Sequence, residues 1–341
     1  MITLHEIDAI PAGLLEVAAT DLHRLLPGPT LLYLPGRHPE PLFVSVLLHG
    51  NEFTGLLAIQ RLLQRHANHE LPRALCVLIG NVDAARHGLR RLADQHDYNR
   101  VWPGTQLPDC DESRLMAQVV AKMRERAVFA SIDLHNNTGI NPHYACVNAL
   151  TTANLQLASL FSRTVVYFET PKGTQSAAMP AVSPAVTVEC GKPGEPHGVE
   201  HATEFVDACL HLSEVPRHPI AANDIHLFHT VAQVRVPDAL DFAFAPNEGV
   251  LVFAEDLEQM NFQEIPPGTL LAECRSGAMP RLIVNDDSGA DVTDDYFECS
   301  HGQLLIRRGV MPSMLTRDIT IIRQDCLCYL MERLALPAAV D

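Results

Sequence analysis

The 341-residue sequence predicts an α/β fold, with a mostly parallel sheet flanked by helices and a smaller β-rich domain after it. Three features carry the prediction. Short apolar runs alternate with helically spaced segments over the first two-thirds of the chain, the pattern of strands joined by crossover helices. The runs are bounded by Pro and Gly and are apolar throughout, as strands buried on both faces are. Around Pro216–Asn223 the texture changes, and the segments that follow are short, β-like and punctuated by Gly and Pro. The expected division is 1–216 for an α/β domain and 217–341 for a β-rich domain with a terminal helix.

Taken in order, Thr30–Leu34 and Leu42–Leu48 read as buried strands. Thr54–His66 reads as a helix, because Leu56, Leu57, Ile59, Leu62 and Leu63 recur at helical spacing. Ala74–Ile79 is the next strand. Glu112–Arg126 is helical, and the acidic residues that open it suit a helix N-terminus. Val128–Leu134 is a strand, Thr151–Phe161 a helix, Thr164–Phe168 and Ala185–Cys190 strands, and His197–Leu212 a helix. In the second domain Ile225–Val236, Gly249–Phe253 and Thr269–Glu273 are β-like. The acidic stretch Asn285–Asp295 lacks the alternating oxygen ligands and later Glu of a calcium loop, so it reads as a solvated loop. Ile319–Leu334 has helical apolar spacing.

Composition bounds the function. Hydrophobic residues make up 47% and charged residues 19%, which suits a compact chain with sizeable cores. A formal net charge of −16 argues against nucleic acid and anionic membrane surfaces as partners. The first residues, MITLHEIDAIPAGLLEV, lack the basic-then-apolar order of a signal peptide. The longest apolar runs, such as Phe43–Leu48, fall far short of a membrane span. Nine scattered cysteines, mostly in apolar segments, read as reduced, buried thiols of a cytoplasmic protein. Cys326 and Cys328 read as core residues. Size makes a homo-oligomer common for an α/β enzyme, although no residue pattern specifies one.

The chemistry concentrates at strand ends, where α/β sheets collect their ligands. His49-Gly50-Asn51-Glu52 follows a buried strand, and His-x-x-Glu lets an imidazole and a carboxylate of one turn reach a single ion. Gly50 relieves the backbone crowding of that turn. A second strand ends in Asp133-Leu134-His135. Two His and one Glu form a catalytic zinc set with a position left for water, and Asp133 is placed to orient an imidazole. With 17 histidines, either one alone is more often a satisfied polar residue; two at strand ends reverse that balance.

Glu189 is the single carboxylate of the apolar strand Ala185–Cys190. Burying it unpaired is costly, so it is either a salt-bridged structural residue or a group facing a cleft, where it can serve as general base. Arg90, Arg91 and Arg100 crowd one loop with Asp94, Asp97 and Asn99. They form either an anion pocket, since Arg clamps carboxylates with two parallel hydrogen bonds, or a set of surface pairs.

HGNE at His49, Asn99-Arg100 after an arginine-bearing loop, DLHNN at Asp133 and TVECG at Thr187, in that order, resemble the succinylglutamate desuccinylase/aspartoacylase family, relatives of the zinc carboxypeptidases. The resemblance covers Leu42–Gly191 and extends more weakly to Leu257–Glu273. It implies a carboxypeptidase-like α/β domain and a C-terminal β domain. It implies one zinc per chain on His49, Glu52 and His135, with Glu189 as base. It places Asn99 and Arg100 on a substrate carboxylate, matches Arg91 to the arginine that polarises the scissile carbonyl, and matches Asp97 to a carboxylate that steadies the arginines. Asn136, next to His135, is a further candidate substrate contact. The arginine loop is one residue longer than in aspartoacylase. Across Thr170–Ala185 the only cation is Lys172, where aspartoacylase carries an arginine for the acyl carboxylate.

The expected activity is hydrolysis of the amide bond of a small N-acyl amino acid. The rivals are a peptidase of the same superfamily and a non-catalytic metabolite-binding relative. HExxH, GxxxxGK[ST] and GxSxG are absent, which leaves zincin, nucleotide and serine-hydrolase readings without support.

Overall fold

The structure is a computed structural model and describes residues 2–275 and 280–336. The chain forms two compact units. The first runs to Asn136 and resumes over His143–Leu227; the second comprises Asn137–Pro142 and Phe228–Leu334.

In the first unit the elements follow the order β1 (His5–Ile7), β2 (Thr30–Leu34), β3 (Gly36–Val46), α1 (Thr54–Arg65), β4 (Leu71–Ile79), α2 (Val82–Arg86), α3 (Asp111–Glu125), β5 (Ala130–His135), β6 (Tyr144–Val147), α4 (Thr152–Phe161), β7 (Thr164–Tyr167), α5 (Gln175–Ala178), β8 (Ala185–Glu189) and α6 (Pro196–His211). Their sheet has the order β1-β2-β4-β3-β5-β8-β6-β7. The central strands β4, β3, β5 and β8 run parallel, while β2 and β6 pair antiparallel to β4 and β8. The sheet is therefore mixed around a parallel centre, with helices flanking it.

The central strands are apolar because helices cover them. Leu42, Phe43, Val44 and Val46 of β3 and Ala130, Ile132 and Leu134 of β5 are buried. Helix α1 buries Leu56, Ile59, Leu62 and Leu63 and presents Arg65 to Glu204 of α6 at 2.7 Å. Strand β3 begins earlier than its apolar run and stops at Val46, so His49 lies in the turn beyond it.

The second unit holds β9 (His226–Arg235), β10 (Phe242–Phe244), β11 (Leu251–Phe253), β12 (Leu270–Cys274), β13 (Ile283–Asp286), α7 (Thr293–Tyr296), β14 (Phe297–Ser300), β15 (Gln303–Ile306), β16 (Met311–Ser313), α8 (Ile319–Gln324) and β17 (Cys328–Arg333). One sheet has the order β10-β11-β12-β15-β14; β9 pairs antiparallel with β13 and β17, and β17 with β16. Its core gathers Val234, Phe253, Leu257, Leu282, Val284 and Leu327.

Two expectations change here. The terminal helix expected over Ile319–Leu334 is only α8, and Cys328–Arg333 is a strand. The run Leu327–Met331 is apolar at every position, so its periodicity does not separate a buried strand from a helix. The compositional break at Pro216–Asn223 precedes the division between units. That segment stays with the first unit, where Gln156 of α4 donates to the His218 carbonyl at 2.8 Å. Among the described residues, no helix is long and apolar enough to cross a membrane.

Candidate functional site

His49, Glu52 and His135 come together at the carboxyl ends of β3 and β5, buried, with one donor atom of each within 4.8 Å of the others. The turn that bears His49 and Glu52 is closed by the Glu52 N–H donating to the His49 carbonyl at 3.1 Å. Between them, Gly50 meets the backbone of α2 so closely that a Cβ would fall 2.2 Å from the Ala85 nitrogen. The Gly50 N–H donates to the Arg90 carbonyl at 3.1 Å, which fastens this turn to the arginine loop.

Each imidazole faces two carboxylates. His49 Nε2 lies 2.9 Å from Asp97 Oδ1, and His135 Nε2 lies 2.8 Å from Asp133 Oδ2. Ser45 of β3 donates to the other Asp133 oxygen at 2.7 Å. A carboxylate at Nε2 holds the proton there and leaves Nδ1 as the lone-pair nitrogen. Both Nδ1 atoms point at Glu52: His49 Nδ1 is 2.8 Å from Oε1, and His135 Nδ1 is 2.7 Å from Oε2. His49 Nδ1 sits at that distance without the angle of a hydrogen bond, so it is a buried nitrogen with no hydrogen-bond partner. With both Nδ1 atoms unprotonated, a cation between them and Glu52 would satisfy all three at once. Two imidazoles and a carboxylate are the donor set of a catalytic zinc, and these residues fit that ion.

Charge pairing dominates the cluster's electrostatics, and a bound cation would take the place of the proton that this pairing holds on His135. Burial would raise the Glu52 carboxyl, but the His49 and His135 imidazoles hold it well below the usual carboxylate range. Burial likewise opposes charge on His135, and the Asp133 and Glu52 carboxylates outweigh it and raise the imidazole. Burial would also raise the half-buried Asp97, and His49 and Arg90 hold it low.

Glu189 ends β8 in register with His135 on β5. It is buried, its Oε2 has no hydrogen-bond partner, and burial pushes its carboxyl up to about 7. A carboxyl poised near neutrality beside a metal-ligand cluster can both accept and return a proton.

The arginine loop corrects one expectation. Arg90, not Arg91, faces the cluster: its Nη2 is 3.0 Å from Asp97 Oδ2 and its Nη1 3.4 Å from Glu52 Oε1. Arg91 donates instead to the Leu92 and Gln95 carbonyls, at 3.4 and 3.0 Å. Neighbouring residues of an irregular loop point opposite ways, and spacing does not choose between them. Arg100 Nη1 donates to the Asn99 carbonyl at 2.9 Å. The Asn99 side chain is buried, with Nδ2 3.1 Å from His135 Nε2 and Oδ1 accepting the Gln175 N–H at 3.0 Å.

Asn136 is not arranged as a substrate contact. Its Oδ1 accepts the Thr54 N–H at 3.1 Å, and its Nδ2 donates to the Thr54 hydroxyl and the Gly191 carbonyl at 3.0 and 2.8 Å. It therefore satisfies an orphan N–H at the start of α1, whose own cap residue Phe53 offers no acceptor. Its backbone N–H donates to Glu52 Oε2 at 3.1 Å. Ser45 and Arg90 were the residues that sequence reasoning did not assign. A lone hydroxyl inside the apolar run of β3 was the available signal for Ser45.

Fold and cluster together define an α/β protein with a buried two-histidine, one-carboxylate site at its strand ends. Residues 41–214, just over half of the chain, match the succinylglutamate desuccinylase/aspartoacylase catalytic domain. The chain belongs to that family. Among solved structures it is similar to succinylglutamate desuccinylase from Chromobacterium violaceum, at 16% identity and a TM-score of 0.55, covering 88% of this chain and 87% of that one. It is also similar to murine aminoacylase 3, at 18% identity and a TM-score of 0.53, covering 89% and 99%. A third similar structure is the ectoine utilization protein EutE (DoeB) from Ruegeria pomeroyi, at 16% identity and a TM-score of 0.52, covering 82% and 88%. At these identities the likeness is one of fold. No curated protein matches the chain in sequence.

Proposed function

We propose that the protein is a zinc-dependent hydrolase that cleaves the amide bond of a small N-acyl amino acid. One zinc per chain would be held by His49 Nδ1, Glu52 and His135 Nδ1. The observation that carries this reading is the convergence of two lone-pair nitrogens on one carboxylate, next to a buried carboxyl that keeps one oxygen without a partner. Zinc in that position supplies Lewis acidity toward a carbonyl oxygen and a water.

The chain's own residues do the rest. Glu189 takes a proton from the attacking water and returns it to the departing nitrogen. Arg90, which already approaches Glu52, faces the negative charge that develops on the former carbonyl oxygen; one such donor is worth on the order of 100- to 1000-fold in rate. Asn99 is buried against His135, its Oδ1 held by the Gln175 N–H. Arg100 is the candidate clamp for a substrate carboxylate. The family's name and the names of the desuccinylase and aminoacylase neighbours support an acylated amino acid as the substrate class. Nine free cysteines suit a cytoplasmic setting.

The test is Glu189→Gln, assayed with acetyl-, succinyl- and formyl-amino acids and with short peptides. Zinc content should be unchanged, while kcat should fall by about 100- to 10,000-fold. Near-normal turnover would remove Glu189 from the chemistry. Preference for peptides would replace the deacylase reading with a peptidase one.

A further inference from the structure

We propose a second zinc site in the first unit, formed by His96, Cys110 and Glu112 and independent of the His49–Glu52–His135 cluster. A ring nitrogen of His96, the Cys110 Sγ and a Glu112 carboxylate oxygen all lie within 4.8 Å of one another. They come from two segments: His96 from the arginine loop, Cys110 and Glu112 from the start of α3.

Each ligand is prepared for the role. Glu112 is only 7% exposed, and a carboxylate so buried needs compensation. Its Oε1 accepts the His96 N–H at 3.3 Å, which already fastens it to its co-ligand's backbone. Cys110 is the N-cap of a 15-residue helix, with Sγ accepting the Ser113 N–H at 3.4 Å. His96 is exposed, so its ring can turn to close the set. Bond lengths to zinc place donor atoms about 3.3–3.7 Å apart, and the remaining ångström or so falls to this exposed ring and to the half-buried thiol.

The donor set selects the ion. Thiolate with imidazole and carboxylate suits zinc and not magnesium or calcium, which take oxygen ligands. Three protein ligands and an open side leave the fourth position to water. Binding releases the Cys110 thiol proton to solvent. The bound ion would clamp the arginine loop to α3 one residue before Asp97, which holds His49 and Arg90.

Cobalt substitution tests the site apart from the catalytic reading. The His49–Glu52–His135 cluster contains no sulfur, so a thiolate-to-cobalt charge-transfer band in the near ultraviolet reports a cysteine ligand alone. Wild-type protein titrated with Co²⁺ should develop that band. Cys110→Ser should abolish it and remove one metal equivalent without loss of fold, because Ser is a preferred N-cap. His96→Ala should weaken the binding that produces the band by at least about tenfold. Absence of the band from the wild type would overturn the proposal. So would a band that survives Cys110→Ser, since the thiolate would then lie elsewhere, for example at Cys274 and Cys299, whose sulfurs are 3.4 Å apart.

Discussion

His49 and His135 each hold two carboxylates at opposite ring nitrogens, and that division of labour fixes which nitrogen is left for a metal. Asp97 is the most exposed test of the arrangement, because it serves His49 and Arg90 together. Asp97→Asn should lower zinc affinity by about 10- to 100-fold, measured by competition with a chelator, because the amide is a weaker partner for Nε2–H. Unchanged affinity would detach Asp97 from the metal cluster. Asn136 belongs to a different task. Asn136→Ala strands the Thr54 N–H and the Gly191 carbonyl, and it should cost about 1–3 kcal/mol in denaturant unfolding with little change in KM. A large rise in KM at normal stability would return Asn136 to the substrate. At this scale much was legible in the sequence. His49, Glu52 and His135 carry paired strand-end signals, while Glu189, whose own strand left two readings open, took its role from the family resemblance. Arg90 and Asn136 were misjudged for one reason: their tasks depend on the direction of a side chain in a loop, and adjacent residues carry the same signal.

Among the elements, the parallel centre of the first sheet was the most readable part, because strands buried on both faces are apolar without interruption. The weakest reading was β17, where an equally continuous apolar run beside α8 imitates the end of a helix. The acidic stretch expected to be a loop is one only between Asp286 and Thr293, since its ends belong to β13 and α7, and its carboxylates are satisfied locally. Asp286 accepts from the Ser288 hydroxyl and N–H and from the Ala290 N–H, while Asp291 accepts from Arg281 and the Thr293 N–H. Hydrogen bonds from Arg281 and then from Thr293 hold the Asp291 carboxyl well below its ordinary value of 3.8. A depressed folded-state value stabilises this loop above the unfolded value, and that contribution is lost as pH falls through the folded one. An NMR titration of the Asp291 carboxyl should therefore show a depressed midpoint that returns toward the ordinary value in Arg281→Ala. An ordinary midpoint in the wild type would mean that the pair does not persist in solution.

For the molecule as a whole, an ion that binds only the folded chain adds to its stability by mass action. Removing zinc with a chelator should lower Tm. At free zinc 100-fold above Kd, the stabilisation lost is about 2.7 kcal/mol. A Tm indifferent to chelation and to zinc readdition would mean that no structural or catalytic ion is bound. The net charge of −16 places this site's arginines in an acidic surround, so an anionic substrate meets its attraction locally and not from the protein's overall field.

The bond from the Gly50 N–H to the Arg90 carbonyl has an evolutionary corollary. It welds the histidine turn to the first residue of the arginine loop, while Asp97 anchors the far end on His49. An insertion would therefore be accommodated between those two fixed points, at the exposed Ala93 and Asp94. Length and surface chemistry can change at those two residues without disturbing the geometry at either end, whereas Gln95 and His96 are tied to their neighbours.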